Sequence, residues 1–276
     1  MTQSQPQVAG PDTTTTTPPA PGRFVWHDLM STDPEAALRF YQTLFGWTPR
    51  VMPIGEGGDY TMLHVGDEGV GGIVPLDRAH GVPSHWIGYL TVASVDGASE
   101  RTPELGGTQC VPPTDIPTVG RFAVVADPTG AVFSPFTFLP GDEAPEPTGM
   151  LPYGAFCWDE LLTTDPDAAA DFYSGLVGWR YETRDMGEMG VYRIAHRGDA
   201  QVSGMMRLPD ESLQAGARSH WLPYIHVADV DATARQAVES GGQVLVPPMD
   251  VPGIGRMAVL RDPADALVAV FRGIGY

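Results

Sequence analysis

The sequence predicts an α+β fold made of two tandem copies of one domain, each copy consisting of two β-α-β-β-β units. Three observations carry this expectation. The stretch VWHDLMSTDPEAALRFYQTLFGW (25–47) returns as CWDELLTTDPDAAADFYSGLVGW (157–179), with 12 of 23 positions identical. The likeness then continues: SHWIGYLTVASVDGA (84–98) matches SHWLPYIHVADVDAT (219–233), and residues 106–136 match 241–271 through GGTQCVPPTDIP and GGQVLVPPMDVP. A repeat of this length marks a duplicated structural unit. Third, within each copy the hydrophobic period alternates between that of a strand and that of a helix.

The elements follow in order. Phe24–Ser31 alternates as a strand. Thr32 or Asp33 then offers an N-cap, Pro34 opens a helix, and Ala37, Leu38, Tyr41, Leu44 and Phe45 recur at helical spacing until Gly46 stops it. Short strands are expected near 47–52, 60–65 and 70–75. The same order then returns as a strand at 85–93, a helix around 95–105, and strands near 108–111, 121–126 and 131–138. The register offset between copies rises from 132 to 135, which places three extra residues around Pro209–Ala217. The domain boundaries read as 22–140 and 154–276. LPGDEAPEPTGMLPY (139–153) supplies a linker centred on 141–153, and residues 1–21, rich in Thr, Pro and Gln, form a leader too polar to order itself.

Composition excludes several classes. Lys and Arg total 16 against 34 Asp and Glu, a net charge of −18, so neither nucleic acid nor an anionic membrane surface is an expected partner. A cationic small molecule would be attracted. No apolar run is long enough to span a bilayer, and the N-terminus lacks a secretory signal pattern, so a cytoplasmic location is expected. Cys110 and Cys157 are too isolated to form a metal knuckle and read as free thiols. There is no phosphate-cradling GxxxxGK[ST], no dinucleotide GxGxxG and no GxSxG elbow, and no cofactor is expected.

The element order, with DPxxAxxFYxxLxGW after the first strand and ADPTG or RDP before the last, resembles the vicinal oxygen chelate superfamily of glyoxalases, extradiol dioxygenases and bleomycin-resistance proteins. The resemblance covers about 22–272. It implies that each pair of βαβββ units curls into a U-shaped, mostly antiparallel sheet around a cleft. Metal-dependent members place ligands on the first, fifth and eighth strands. Carried over by spacing, those positions are Trp26, Ile87 and Ser134 in the first copy and Trp158, Leu222 and Ala269 in the second. Alkyl and indole groups do not offer lone pairs to a divalent ion, so no metal is expected.

The same count names what lines each cleft: Trp26, Asp28, Met30, His85, Tyr89 and Phe136 in one, and Trp158, Glu160, His220, Tyr224 and His226 in the other. His27 and Asp159, by the two-residue period of a strand, face away. Asp28 and Glu160 could bind a ligand or form ion pairs with Arg121 and Arg256, and His85 and His220 could simply bond backbone. An aromatic wall holding one carboxylate suits a flat, partly cationic molecule. The sequence therefore points to a metal-independent protein that binds an aromatic natural product. Tandem acidic chains of this kind resemble actinobacterial accessory proteins of aromatic polyketide, anthracycline-type, biosynthesis. That resemblance implies a sequestering or accessory role in antibiotic biosynthesis or resistance, with a cytochrome P450 as a partner. The alternative is an enzyme, a glyoxalase-like lyase or a cofactorless oxygenase or hydroxylase, with His226 and Glu160 as acid and base. The reading inclines to binding, by a monomer or a loose homodimer.

Overall fold

The computed structural model describes residues 21–53, 59–142 and 151–274. Most of the expected leader and linker therefore lies outside the described residues. In the first half, β1 (Phe24–Ser31) leads into α1 (Pro34–Phe45), then β2 (Thr48–Pro53), β3 (Asp59–Val65) and β4 (Glu68–Pro75). The second unit of that half runs β5 (His85–Thr91), α2 (Val95–Glu104), β6 (Thr108–Ile116), β7 (Gly120–Ala126) and β8 (Val132–Phe138). The second half repeats this as β9 (Phe156–Thr163), α3 (Pro166–Val177), β10 (Arg180–Asp185), β11 (Val191–Arg197) and β12 (Ala200–Arg207). A short α4 (Asp210–Gln214) then precedes β13 (His220–His226), α5 (Val230–Glu239), β14 (Gln243–Val251), β15 (Gly255–Arg261) and β16 (Leu267–Gly273). The three extra residues of the second copy fall at α4, where the first half has only a single 3₁₀ turn at Arg78–His80.

The helix signals act as read. Asp33 caps α1 by accepting from the Ala36 amide, and Gly46 ends it at φ 67°. Asp165 and Gly178 do the same for α3. One strand is longer than expected. β6 runs through Pro112 and Pro113 to Ile116, because it is an edge strand whose bulges relieve the ladder of the missing amide hydrogens.

Each half forms one eight-stranded mixed sheet, ordered β2-β3-β4-β1-β5-β8-β7-β6 and β10-β11-β12-β9-β13-β16-β15-β14. The two units of a half meet at an antiparallel β1–β5 or β9–β13 pair. Each of these central strands also has a parallel neighbour, β4 or β8 in the first half. The helices pack with one face of each sheet. Among the described residues the other, here called the open face, has no helix in its cluster and is filled largely by its own side chains, Leu222, Tyr224 and Ala269 among them.

The core lies between the halves. Leu29, Phe40, Tyr41 and Trp47 of the first half pack with Ile225, Val230, Ala234, Leu260 and Val268 of the second. Leu90, Val125 and Phe133 in turn pack with Phe172, Tyr173, Trp179 and Met205. Polar contacts cross the interface in matched pairs. Tyr41 Oη donates to Asp262 Oδ2 (3.0 Å) while accepting from Trp86 Nε1 (3.1 Å). Tyr173 Oη donates to Asp127 Oδ2 (3.2 Å) while accepting from Trp221 Nε1 (2.9 Å). Trp47 Nε1 donates to the Gly154 carbonyl, and Trp179 Nε1 to that of Gly22. The Tyr of the FYxxLxGW motif and the Asp of the last DP turn are thus the two sides of one clasp, made twice, while the motif's Trp bonds the chain that enters the other half. His27 and Asp159, equivalent in the repeat, meet each other at 2.7 Å, both buried, with His27 stacked on Phe156. They face away from the open surface, as the strand period requires.

Removing one clasp hydroxyl leaves a buried carboxylate oxygen and an indole N–H without their partner. Tyr41→Phe is expected to cost about 1.5–3 kcal/mol, the range for a hydrogen bond to a charged group. Urea unfolding at neutral pH checks this, and Tyr173→Phe should fall in the same range.

Candidate functional site

The open face of each sheet is assembled by register. Trp26, Asp28 and Met30 lie opposite Tyr89, Ile87 and His85. Tyr89 and Thr91 lie beside Ser134 and Phe136. In the second half Trp158, Glu160 and Leu162 oppose Tyr224, Leu222 and His220, and Tyr224 and His226 neighbour Ala269 and Phe271. The cross-strand ladder thus brings the expected lining residues together in two separate groups.

At the floor of the first group is Asp28, 5% exposed. Tyr60 Oη donates to its Oδ1 at 2.6 Å, Tyr89 Oη to its Oδ2 at 2.8 Å, and Trp26 Nε1 to Oδ1 at 3.0 Å. Trp26 Nε1 also reaches Tyr60 Oη at 2.8 Å. Burial raises the Asp28 carboxyl above its ordinary value, and the bonds from Tyr60, Tyr89 and Trp26 offset part of that rise. The second floor is Glu160, 7% exposed. Tyr192 Oη (3.0 Å) and Tyr224 Oη (3.1 Å) both donate to Oε2, while Trp158 Nε1 donates to Tyr192 Oη (3.0 Å). Burial pushes the Glu160 carboxyl up to about 6, with the two tyrosine bonds pulling it partly back. The four tyrosine hydroxyls are raised above their ordinary value, burial being the largest cause.

Tyr60 and Tyr192 were not among the residues expected to line the site. Their signal was present in YTMLHVGD and YRIAHRGD, where tyrosine recurs at the same place in both copies. They reach the carboxylates because they cross over glycine. A Cβ at Gly72 would stand 2.0 Å from Tyr60 Oη, and one at Gly204 1.8 Å from Tyr192 Oη.

The histidines and arginines have partners of their own. His85 and His220 turn Nδ1 to the carbonyls of Pro83 and Arg218. His226 donates through Nδ1 to the Leu151 carbonyl and packs against Tyr153, while the hydroxyls that reach Glu160 are those of Tyr192 and Tyr224. Arg121 pairs with Asp96 and Asp115, and Arg256 with Asp231 and Asp250, which leaves Asp28 and Glu160 to the tyrosines. Two surface cavities lie outside the open faces. One of about 230 Å³ sits between α1 and α5 beside Tyr153 and His226, and one of about 380 Å³ lies at the β14–β15 turn.

The positions that the family resemblance implies for metal ligands hold residues that do not fit a divalent ion. Trp26, Ile87, Trp158, Leu222 and Ala269 have no suitable donor, and Ser134 Oγ is spent on the Ala123 carbonyl at 2.8 Å. Among the described residues no three His, Cys, Asp or Glu side chains gather into a candidate metal site. Nor, among them, is any helix long and apolar enough to cross a membrane.

The family described as "Glyoxalase/Bleomycin resistance protein/Dioxygenase superfamily" matches residues 23–134 and 157–270. A protein named "Putative glyoxylase CFP32" from Mycobacterium tuberculosis is 37% identical over 250 residues, covering 90% of this chain and 93% of that protein. "Anthracycline biosynthesis protein DnrV" from Streptomyces peucetius is 36% identical over 262 residues, covering 90% and 92%. Among solved structures, a Mn(II)-bound glyoxalase from Novosphingobium aromaticivorans aligns with a TM-score of 0.62 at 14% identity, covering 91% of this chain and 82% of the other. The 2,3-dioxygenase LapB from Pseudomonas sp. KL28 gives 0.61 at 12%, covering 93% and 94%. At such identities these two structures speak for the fold alone.

The raised Glu160 carboxyl predicts a pH signature. A carboxyl whose folded value lies above its unfolded one releases its proton first in the unfolded chain. Its contribution is full below about pH 4.5 and is lost as pH rises through about 6. The loss amounts to about 2 kcal/mol at one pKa unit per 1.36 kcal/mol. Urea unfolding of the wild type and Glu160→Gln at pH 4.5 and 7 isolates this share, because the other buried carboxyls are common to both. The stability difference between the two proteins should shift by that amount in favour of the variant at pH 7.

Proposed function

The chain belongs to the Glyoxalase/Bleomycin resistance protein/Dioxygenase superfamily, and from that premise we propose that it binds a planar aromatic natural product on the open faces of its sheets without a metal. Its role is that of an accessory or sequestering factor in antibiotic biosynthesis or resistance. One observation carries the reading. At the first-strand positions that the resemblance implies for metal ligands, this chain has half-buried Trp26 and Trp158, each hydrogen-bonded into a tyrosine–carboxylate network. An indole held in this way is fixed in orientation, so a flat ligand stacks on it with little ordering cost. The tyrosine hydroxyls donate inward, which leaves their oxygen lone pairs and the carboxylate charge to favour a ligand that brings donors or positive charge. The relationship to a protein named for anthracycline biosynthesis supports a product of that ring class. A carrier of this kind would serve an oxygenase such as a cytochrome P450 in the same cytoplasm.

A second reading is favoured by one further observation. A carboxyl near 6 beside two phenols has the proton affinity of a general acid or base at neutral pH. Conversion of an aromatic substrate by the metal-stripped protein alone would establish it.

Tryptophan fluorescence separates the readings. Metal-stripped protein titrated with anthracyclines should show saturable quenching that divalent metal leaves unchanged, weakened at least several-fold in Trp26→Ala or Trp158→Ala. Binding that returns only with added metal would overturn the proposal.

A further inference from the structure

The two open faces are not equivalent, and the difference lies in which acceptors remain open. In the first half both oxygens of Asp28 receive tyrosine hydroxyls, and Trp26 adds a third donor. In the second half both tyrosines converge on Oε2 of Glu160, and Trp158 donates to Tyr192 instead. Oε1 of Glu160 receives no hydrogen bond among the described residues. The longer side chain also carries this oxygen one methylene further from the strand than Asp28 would.

A second acceptor without a hydrogen-bond partner stands on the same face. His220 Nδ1 lies 2.8 Å from the Arg218 carbonyl, which can only accept, so Nδ1 carries the proton and Nε2 is a lone-pair acceptor. Burial lowers the His220 pKa below its ordinary value and favours this neutral form. Nε2 is enclosed and has no hydrogen-bond partner. Because His220 opposes Leu162 and Glu160 opposes Leu222, the two are diagonal cross-strand neighbours. Their backbones are then about 7–8 Å apart, the spacing of diagonal neighbours on one face.

Two acceptors, one of them anionic, need a group that brings at least two donors and positive charge. A single hydroxyl offers one hydrogen. An ammonium offers three and compensates the buried carboxylate. We propose that the second half is the discriminating site, in which Glu160 Oε1 and His220 Nε2 together hold the ammonium of an aromatic ligand whose ring system lies against Trp158. This rests on the binding reading above and assigns the charge-recognising step to one half of the chain.

The test uses the full chain and a matched pair of probes, an amine-bearing anthracycline and its N-acetylated form, which keeps the rings and removes the charge. Wild type should prefer the amine at least tenfold, and Glu160→Gln should bring the preference towards unity with the acetylated form still bound. Glu160→Asp, which reproduces the residue of the first half, should also lower the preference, and serves if the amide variant does not fold. His220→Phe should lower it several-fold. If Asp28→Asn abolishes the preference while Glu160→Gln keeps it, the assignment to the second half is overturned although the binding reading stands. If wild type binds both probes equally, charge recognition is overturned. If it binds neither, the binding reading itself fails.

Discussion

The structure depends on a contact made between halves. Each half hands a tyrosine from its first helix to the aspartate that organises the last turn of the other half, Tyr41 to Asp262 and Tyr173 to Asp127. Each of those aspartates also accepts backbone amides of its own turn, at Ala264 and Ala266 or at Thr129 and Ala131. Those turns feed β16 and β8, the strands that complete the open faces beside Tyr224 and Tyr89. The clasp therefore reaches the candidate site through the backbone, and neither half sets its own open face alone. The helices that a single half would leave with an apolar side exposed are used up in the same exchange, as the shared clusters around Phe40 and Phe172 record.

Burying a carboxylate at the floor of each sheet is costly unless it is hydrogen-bonded, and here the partners are phenols rather than cations. That choice keeps the floor acidic and aromatic at once. It also explains the glycines. Gly72 and Gly204 give up a side chain so that Tyr60 and Tyr192 can lie flat across the neighbouring strand. The arginines that could have neutralised the carboxylates are engaged instead at the sheet edge, where Arg121 and Arg256 tie a helix start to a hairpin.

Much of this was legible in the chain because a repeat supplies its own alignment. The Asp33 cap, the Gly46 stop and the outward turn of His27 all follow from local rules of spacing and backbone, and the same rules operate at Asp165, Gly178 and Asp159. What local rules do not carry is the identity of a partner distant in sequence. Nothing near Asp28 announces Tyr60, 32 residues on, and nothing near Tyr41 announces Asp262, 221 residues on. His226 shows the same limit: the Leu151 carbonyl and the Tyr153 ring that it meets lie on the chain entering the second half, far from it in sequence.

The meeting of His27 with Asp159 has a consequence for how the halves recognise each other. On an approximate two-fold axis a residue faces its own counterpart, so two copies of the first half would set histidine against histidine, and two copies of the second would set aspartate against aspartate. Both self-pairings place like groups in a sealed, stacked environment, whereas the mixed pairing places a donor against an acceptor at 2.7 Å. Covalent duplication lets one locus hold two different residues, and here the two complement each other across the seam.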